Sequence, residues 1–128
     1  MPTLFEKIIK REIPAYIIEE DAFHLAFLDV NPLKEGHTLV IPKKATDYIF
    51  DLENKDLEAL MLFAKKVAVK LKSKITCAKI GITVIGLEVP HAHIHLIPIN
   101  SIADMNFSSQ KMGISAERML EIQALITN

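Results

Sequence analysis

Three histidines occupy alternate positions in the segment VPHAHIHLIP, residues 89–98. Successive side chains of a β-strand point to opposite faces, so His91, His93 and His95 are predicted to share one face of a strand. The opposite face is apolar, as in a half-buried strand, and carries Ala92, Ile94 and Leu96. Three histidines in strict alternation indicate a chemical role for this face rather than a face that is merely exposed to solvent. Neutral imidazole is a nucleophile, an acid or base near neutral pH, and a metal ligand.

Bulk properties limit the classes of protein to which this chain can belong. Its 128 residues fit a single domain, residues 1–128, with a real core. No apolar run approaches the roughly 20 residues of a membrane span, so we expect no membrane partner. A net charge of −1 gives no general attraction for nucleic acid. A lone cysteine, Cys77, excludes an internal disulfide, and the N-terminus lacks a signal-peptide pattern, so a cytoplasmic protein is expected.

Hydrophobic periodicity predicts a helix at each end of the chain, a long helix in the middle, and strands between them. Thr3 is predicted to cap a first helix that runs to about Arg11. Asn54 is predicted to cap the long helix, and Ser115 the last one. Strands are predicted at residues 16–19, 25–30, 37–41 and 80–89, with the histidine strand directly after them. This order indicates an α+β fold, an antiparallel sheet flanked by helices.

The histidines allow three functional interpretations. In the first, one imidazole attacks the phosphorus of a nucleoside phosphate while its neighbours donate to the phosphoryl oxygens and the leaving group. In the second, two histidines share a metal ion, and further ligands such as His24 or His37 come from another segment. In the third, the histidines bind an anion without catalysis.

The sequence around the histidines resembles the histidine triad (HIT) superfamily. The pattern His, apolar, His, apolar, His and two apolar residues is that family's signature, and residues 91–97 match it throughout. LFEKII with EIP, within residues 4–14, is similar to the family's opening helix and turn, and LAFLDVNP with GHTLVIPKK, residues 25–44, to its central hairpin. The resemblance covers about residues 3–99 and leaves 100–128 as a C-terminal tail with a terminal helix. It implies a HIT-like fold that assembles as a two-fold homodimer.

The resemblance also implies a role for each matching residue. His93 corresponds to the nucleophile, the carbonyl of His91 to the group that holds its ring, and His95 to the group that bonds a phosphoryl oxygen or the departing group. Asp29 matches the acidic residue that takes both ribose hydroxyls, a task that suits a carboxylate. The remaining nucleotide-binding positions are Phe27, Leu28 and Val30 near the base, and Asn31 and His37 as polar support.

The run before the histidines departs from the family pattern. Relatives commonly have Ala-Gly-Gln-Ser/Thr-Val there, after an asparagine-glycine stretch, and this chain has Ile-Gly-Leu-Glu-Val at residues 85–89. We expect Glu88 and Val89 to contact the nucleotide. Leu87 and Glu88 remove neutral donors and add a carboxylate, which should weaken binding of a polyanion. Some relatives bind structural zinc through N-terminal cysteines, but here Thr3 and Glu6 hold those places, so no metal is expected.

The resemblance therefore implies a nucleotide-binding hydrolase or transferase. Its substrate would be a nucleoside phosphoramidate or a related purine nucleotide, attacked at the α-phosphate with a covalent nucleotidyl-His93 intermediate. Glu88 should favour a neutral or cationic leaving group, or else turnover should be slow. No cofactor is expected, although a divalent ion could accompany a polyphosphate substrate. The alternatives are a nucleotide-binding or signalling module with little turnover, and a histidine-ligated metal enzyme.

Overall fold

The structure is a computed structural model that describes residues 2–128, and its centre is a five-stranded antiparallel sheet. The strands are β1 (Ile17–Glu20), β2 (His24–Leu28), β3 (Thr38–Pro42), β4 (Lys79–Thr83) and β5 (Ile94–Ile99), and their order across the sheet is β1-β2-β3-β5-β4. The helices are α1 (Leu4–Ile9), α2 (Asn54–Lys74) and α3 (Ala116–Thr127). The predicted α+β fold with an antiparallel sheet is confirmed.

Helix ends follow the predicted capping in two of three cases. The hydroxyl of Thr3 accepts from the backbone N–H of Glu6, and the hydroxyl of Ser115 accepts from that of Arg118, so both predicted caps are confirmed. The predicted Asn54 cap is wrong, because Glu53 precedes the first helical residue and its side chain makes no capping bond. Helix α1 also ends at Ile9, before the predicted Arg11, which adopts a positive φ of 63°.

The two faces of the sheet carry separate clusters of buried apolar residues. Helices α2 and α3 pack on one face, and their cluster includes Ala92, Ile94 and Leu96, so the predicted apolar side of the histidine segment is confirmed. Helix α1 covers the other face with a smaller cluster that contains Phe5, Phe27 and Leu39. The sequence pattern predicted a half-buried histidine segment, but residues 91–98 are all buried, because α1 and the C-terminal tail cover the second face.

Two predicted strands differ from those observed. The strand expected at residues 80–89 is β4, which ends at Thr83, and residues 84–93 form an irregular loop that returns the chain to β5. Because β4 and β5 are antiparallel neighbours, such a reversal is required between them. The histidine strand is correspondingly shorter than predicted: His95 lies in β5, and His91 and His93 lie in the loop before it. None of the helices in residues 2–128 combines the length and the apolar character that a membrane crossing requires.

Candidate active site

The histidines lie on the face of the sheet that α1 covers. Strand pairing places His95 opposite Leu39, and Leu39 belongs to the same cluster as Phe5. The ring of Phe5 then meets the rings of His91 and His93 edge-on, with centroids 5.8 and 5.0 Å apart. All three histidines are at most 8% exposed. They are therefore held by packing, and only their hydrogen bonds decide which nitrogen carries a proton.

A backbone carbonyl sets the tautomer of His93. Nδ1 of His93 lies 2.7 Å from the carbonyl oxygen of His91, and a carbonyl can only accept, so the proton is on Nδ1. Nε2 of neutral His93 consequently holds a free lone pair. No protein group in residues 2–128 hydrogen-bonds Nε2, and His93 lines a cavity. This is the state of an imidazole that can act as a nucleophile.

The side chain of His91 is turned away from that cavity. Its Nε2 donates to the carbonyl oxygen of Pro42 at 2.8 Å, and its Nδ1 lies 3.4 Å from the hydroxyl of Thr3. It is fully buried, and burial lowers the pKa of His91 because the charged form would lose its hydration. Its contribution to the site is thus its backbone carbonyl, while its ring fixes the loop against β3 and α1.

His37 and His95 form a second chain of hydrogen bonds. The backbone N–H of Leu33 donates to Nδ1 of His37 at 3.0 Å, so the proton of neutral His37 is on Nε2. That Nε2 lies 2.9 Å from Nδ1 of His95, and donating to it leaves the proton of His95 on its own Nε2. Burial lowers the pKa of His37 to about 4 and that of His95 to about 3, so both rings are neutral at pH 7. His95 therefore presents an N–H donor.

Two adjoining cavities open beside His93 and His95. The polar cavity has a volume of about 250 Å³ and is lined by Asp29, Asn31, His37, Ile85, Gly86, Leu87, Glu88, His93, His95, Phe107 and Lys111. The apolar cavity has a volume of about 300 Å³, and its walls include Phe5, Ile8, Phe27, Leu28, Val30, Leu39 and Val89. Asp29, Asn31 and Glu88 line both cavities, together with the two histidines. A ligand with a polar and an apolar half therefore fits across them.

Every nucleotide-binding residue predicted from the sequence lies at one or both cavities. Phe27, Leu28, Val30 and Val89 line the apolar cavity, His37 lines the polar one, and Asp29, Asn31 and Glu88 line both. Of the three predicted catalytic histidines, His93 and His95 line both cavities and His91 lines neither. The sequence analysis missed Phe107 and Lys111 on the polar cavity, since nothing local marks the tail as part of the site. It also missed Phe5 and Ile8 as cavity walls, although their helical spacing was visible.

Asp29 is placed at the junction of the cavities. One carboxylate oxygen accepts from the backbone N–H of Asn31 at 2.8 Å, which forms an Asx turn just after β2. The other oxygen lies 3.6 Å from Nε2 of His37. The side chain is partly exposed and each oxygen can accept more than one bond, so the carboxylate has acceptor capacity left for a ligand.

Asp29, His37 and His95 could also hold a divalent cation. One ligand atom from each lies within 4.8 Å of the others. A metal on Nε2 of His37 would need the lone pair there, and the N–H of Leu33 directs the lone pair to Nδ1 instead. The hydrogen bonding therefore favours a metal-free site at these residues.

His24, the other ligand considered for a metal, lies elsewhere. It bonds Asp21 through Nδ1 at 3.0 Å and stacks on Phe63. It lines a third cavity of about 540 Å³ with Phe23, Lys43 and Lys44 among its walls. This is the largest of the three cavities described, but none of the residues predicted to be catalytic or to bind a nucleotide lines it. His37 thus joins the histidine triplet, and His24 does not.

Comparison with known proteins assigns this arrangement to a family. The model of the HIT domain matches residues 10–102. An uncharacterised HIT-like protein of Borreliella burgdorferi is 35% identical over 97% of this chain and 95% of its own length. The adenosine 5′-monophosphoramidase of Saccharomyces cerevisiae is 39% identical over 74% of this chain and 61% of its own. The crystal structure of a Hit-like protein from Bartonella henselae superposes with a TM-score of 0.83 and 28% identity, and covers 98% of this chain and 94% of that protein.

Proposed function

Because this chain belongs to the HIT domain family, we propose that it is a nucleotide hydrolase that cleaves the phosphorus–nitrogen bond of a purine nucleoside phosphoramidate, with His93 as nucleophile. The observation that carries the proposal is the bond from Nδ1 of His93 to the carbonyl of His91, which leaves Nε2 as a free lone pair at the cavity. The similarity to an adenosine 5′-monophosphoramidase supports the choice of bond.

The reaction has two steps. In the first, Nε2 of His93 attacks the α-phosphorus, the bond from phosphorus to the leaving nitrogen breaks, and that nitrogen departs as the amine with a proton taken from solvent, while the Nε2–H of His95 donates a hydrogen bond to a phosphoryl oxygen. In the second, a water oxygen attacks the same phosphorus, the bond to His93 breaks, and the water proton is released to solvent. The products are an amine and a nucleoside monophosphate, His93 regains its starting tautomer, and His95 keeps its Nε2 proton throughout. His37 holds His95 in the required orientation throughout.

The linings of the two cavities support a substrate with an apolar base and a polar phosphate. The base would lie in the apolar cavity against Phe27, Leu28 and Val30. The ribose hydroxyls would donate to Asp29, which stands where the cavities meet, and the α-phosphate would lie in the polar cavity between His93 and His95. Asn31 and Val89 would close the sides.

Glu88 supports a phosphoramidate over a dinucleoside polyphosphate. Glu88 lines both cavities, at a position where the resemblance places a neutral Ser or Thr. A second phosphate group would be repelled by it, whereas an amine leaving group would not. The competing function is a nucleotide-binding module with little turnover, and Leu87 favours it, because an 89% exposed apolar side chain replaces an amide donor at this cavity.

The decisive experiment looks for the covalent intermediate. The protein is mixed with adenosine 5′-phosphoramidate, quenched after milliseconds, and analysed by mass spectrometry for an adenylyl group on His93. The variant His93→Ala should lose at least about 10³-fold in kcat, as expected for removal of a covalent nucleophile, and keep its affinity for AMP. The matched control His24→Ala, outside the site, should retain wild-type activity. A chelator should leave the activity unchanged, and turnover by His93→Ala would refute the assignment.

We also propose that the protein is a two-fold homodimer. Strand β4 is an edge of the sheet and exposes Ile82, and helix α2 exposes Leu62 and Val69. An edge strand and an apolar stripe on the neighbouring helix are surfaces that a second copy can cover.

A further inference from the structure

The C-terminal tail crosses the polar cavity as a strap, which we define as residues 100–118. Two contacts attach it to the loop between β2 and β3. The backbone N–H of Met112 donates to the carbonyl of Pro32 at 2.9 Å, and the carboxylate of Asp104 pairs with Lys34 at 3.1 Å. The strap is therefore fastened to the loop that follows Asp29.

A third contact attaches the C-terminal end of the strap to the same loop. Arg118 donates two parallel hydrogen bonds to the carboxylate of Glu35, at 2.8 and 2.9 Å. This two-bond geometry is the strongest form of the arginine–carboxylate pair, and the bond from Arg118 lowers the pKa of Glu35. With both ends held, the middle of the strap stays over the histidines.

The strap brings one aromatic ring and one cation to the polar cavity. The ring of Phe107 meets that of His95 edge-on at 4.8 Å and that of His37 at 6.0 Å. Nζ of Lys111 donates to the carbonyl of Phe107 at 2.8 Å and lies 5.3 Å from the centre of its ring. Lysine has three N–H donors, so two remain for a ligand.

Lys111 is the one lysine or arginine among residues 2–128 that lines the polar cavity. The cavity also carries the carboxylates of Asp29 and Glu88, which would repel a phosphate. His37 and His95 are neutral and cannot offset them. No carboxylate of residues 2–128 pairs with Lys111, whose contacts are a carbonyl and a ring face. The cationic side chain that an anionic ligand in this cavity can bind is therefore Lys111, which belongs to the strap.

We propose that Lys111 binds the phosphoryl oxygens of the nucleotide and thereby takes over the work of the polar donors that Leu87 and Glu88 have replaced. This role rests on the proposed function, because it supposes a nucleotide phosphate in the polar cavity. Lys111 is a positioning and specificity residue: it selects a phosphorylated nucleoside over the bare nucleoside, and it holds the α-phosphorus near Nε2 of His93.

The test compares AMP with adenosine by calorimetry on the full chain. A hydrogen bond to a charged group is lost in Lys111→Gln, so its affinity for AMP should fall about 10- to 100-fold, while its affinity for adenosine stays within about twofold of wild type. Lys111→Arg keeps the charge and should bind AMP nearly as wild type does. Lys72 is an exposed residue of α2 away from the cavity, so Lys72→Gln is the matched control and should change neither affinity.

The dependence of AMP affinity on salt concentration is a second measurement, and it would not change if Lys111 had a purely structural role. AMP affinity of the wild type should fall as ionic strength rises, and this slope should be smaller in Lys111→Gln. Unchanged AMP affinity in Lys111→Gln, or an equal loss of AMP and adenosine, would overturn the role of Lys111 and leave the proposed function standing. A wild-type protein that binds no AMP would overturn the proposed function and this role with it.

Discussion

The backbone determines where the protons of four buried histidines lie. Carbonyl oxygens of His91 and Pro42 place the proton of His93 on Nδ1 and that of His91 on Nε2. The amide of Leu33 places the proton of His37 on Nε2, and through it the proton of His95 on Nε2. Side-chain ionisation does not disturb this order near neutral pH, because burial opposes protonation of His37 and His95.

His37 and His95 should make the fold sensitive to acid. Well above pH 6.5 the two rings are neutral in both the folded and the unfolded chain, so they do not change the free energy of unfolding there. Below pH 6.5 the histidines of the unfolded chain bind protons, whereas the buried rings of the folded chain do not. The free energy of unfolding should therefore fall with pH, down to about pH 4 for His37 and about pH 3 for His95. His37→Gln should remove about 1 to 3 kcal/mol of this loss, measured by urea denaturation from pH 7 to pH 4. The variant Lys72→Gln, at an exposed position of α2, serves as control, and equal acid sensitivity of wild type and His37→Gln would contradict the prediction.

At the scale of elements, the site is assembled by the loops that leave the strands. The loop after β2 supplies Asp29 and anchors the strap, and the loop before β5 supplies Glu88 and His93. Gly36 permits the first of these loops to reach β3, since its φ is +90° and a Cβ there would collide with the side chain of Ile75. The position of Asp29 next to His37 thus depends on a glycine.

Substitution of Gly36 tests this dependence. Gly36→Ala adds left-handed strain and forces the far end of the Ile75 side chain to move, so the free energy of unfolding should fall by about 1 to 2 kcal/mol. Urea denaturation measures the loss, which should come with an unchanged m-value. Gly113→Ala is the matched control, because no atom lies near its Cβ position and its φ is not positive. A loss of equal size in the two variants would show that the turn is not the cause.

At the scale of the whole molecule, one face of the sheet builds the core and the other builds the site. Helices α2 and α3 bury the first face, and α1 with the strap covers the second. This arrangement leaves an exposed apolar stripe on the outer side of α2, where Leu62 and Val69 are 67% and 61% exposed, and a free edge of the sheet at β4. This is the surface that the proposed homodimer would bury.

Charge on that surface should prevent dimerisation. Leu62→Lys combined with Ile82→Lys places two desolvated cations from each copy in the interface, and sedimentation analysis should then give a monomer where the wild type gives a dimer. Leu120→Lys on α3 is the control, since Leu120 is 57% exposed and lies outside the stripe. A wild type that sediments as a monomer at micromolar concentration would refute the homodimer.

Local pattern in the sequence determined the class of fold, the caps at Thr3 and Ser115, and the apolar side of the histidine segment, because these depend on neighbours a few residues away. It also identified the residues that line the cavities on β2 and the loop before β5. Only the tertiary structure decided that the histidine face is buried, that a loop separates β4 from β5, and that Lys111 reaches the site. Lys111 and Asp29 are brought together by bonds between the tail and the loop after β2, and contacts between such distant segments leave no periodic signal in the chain.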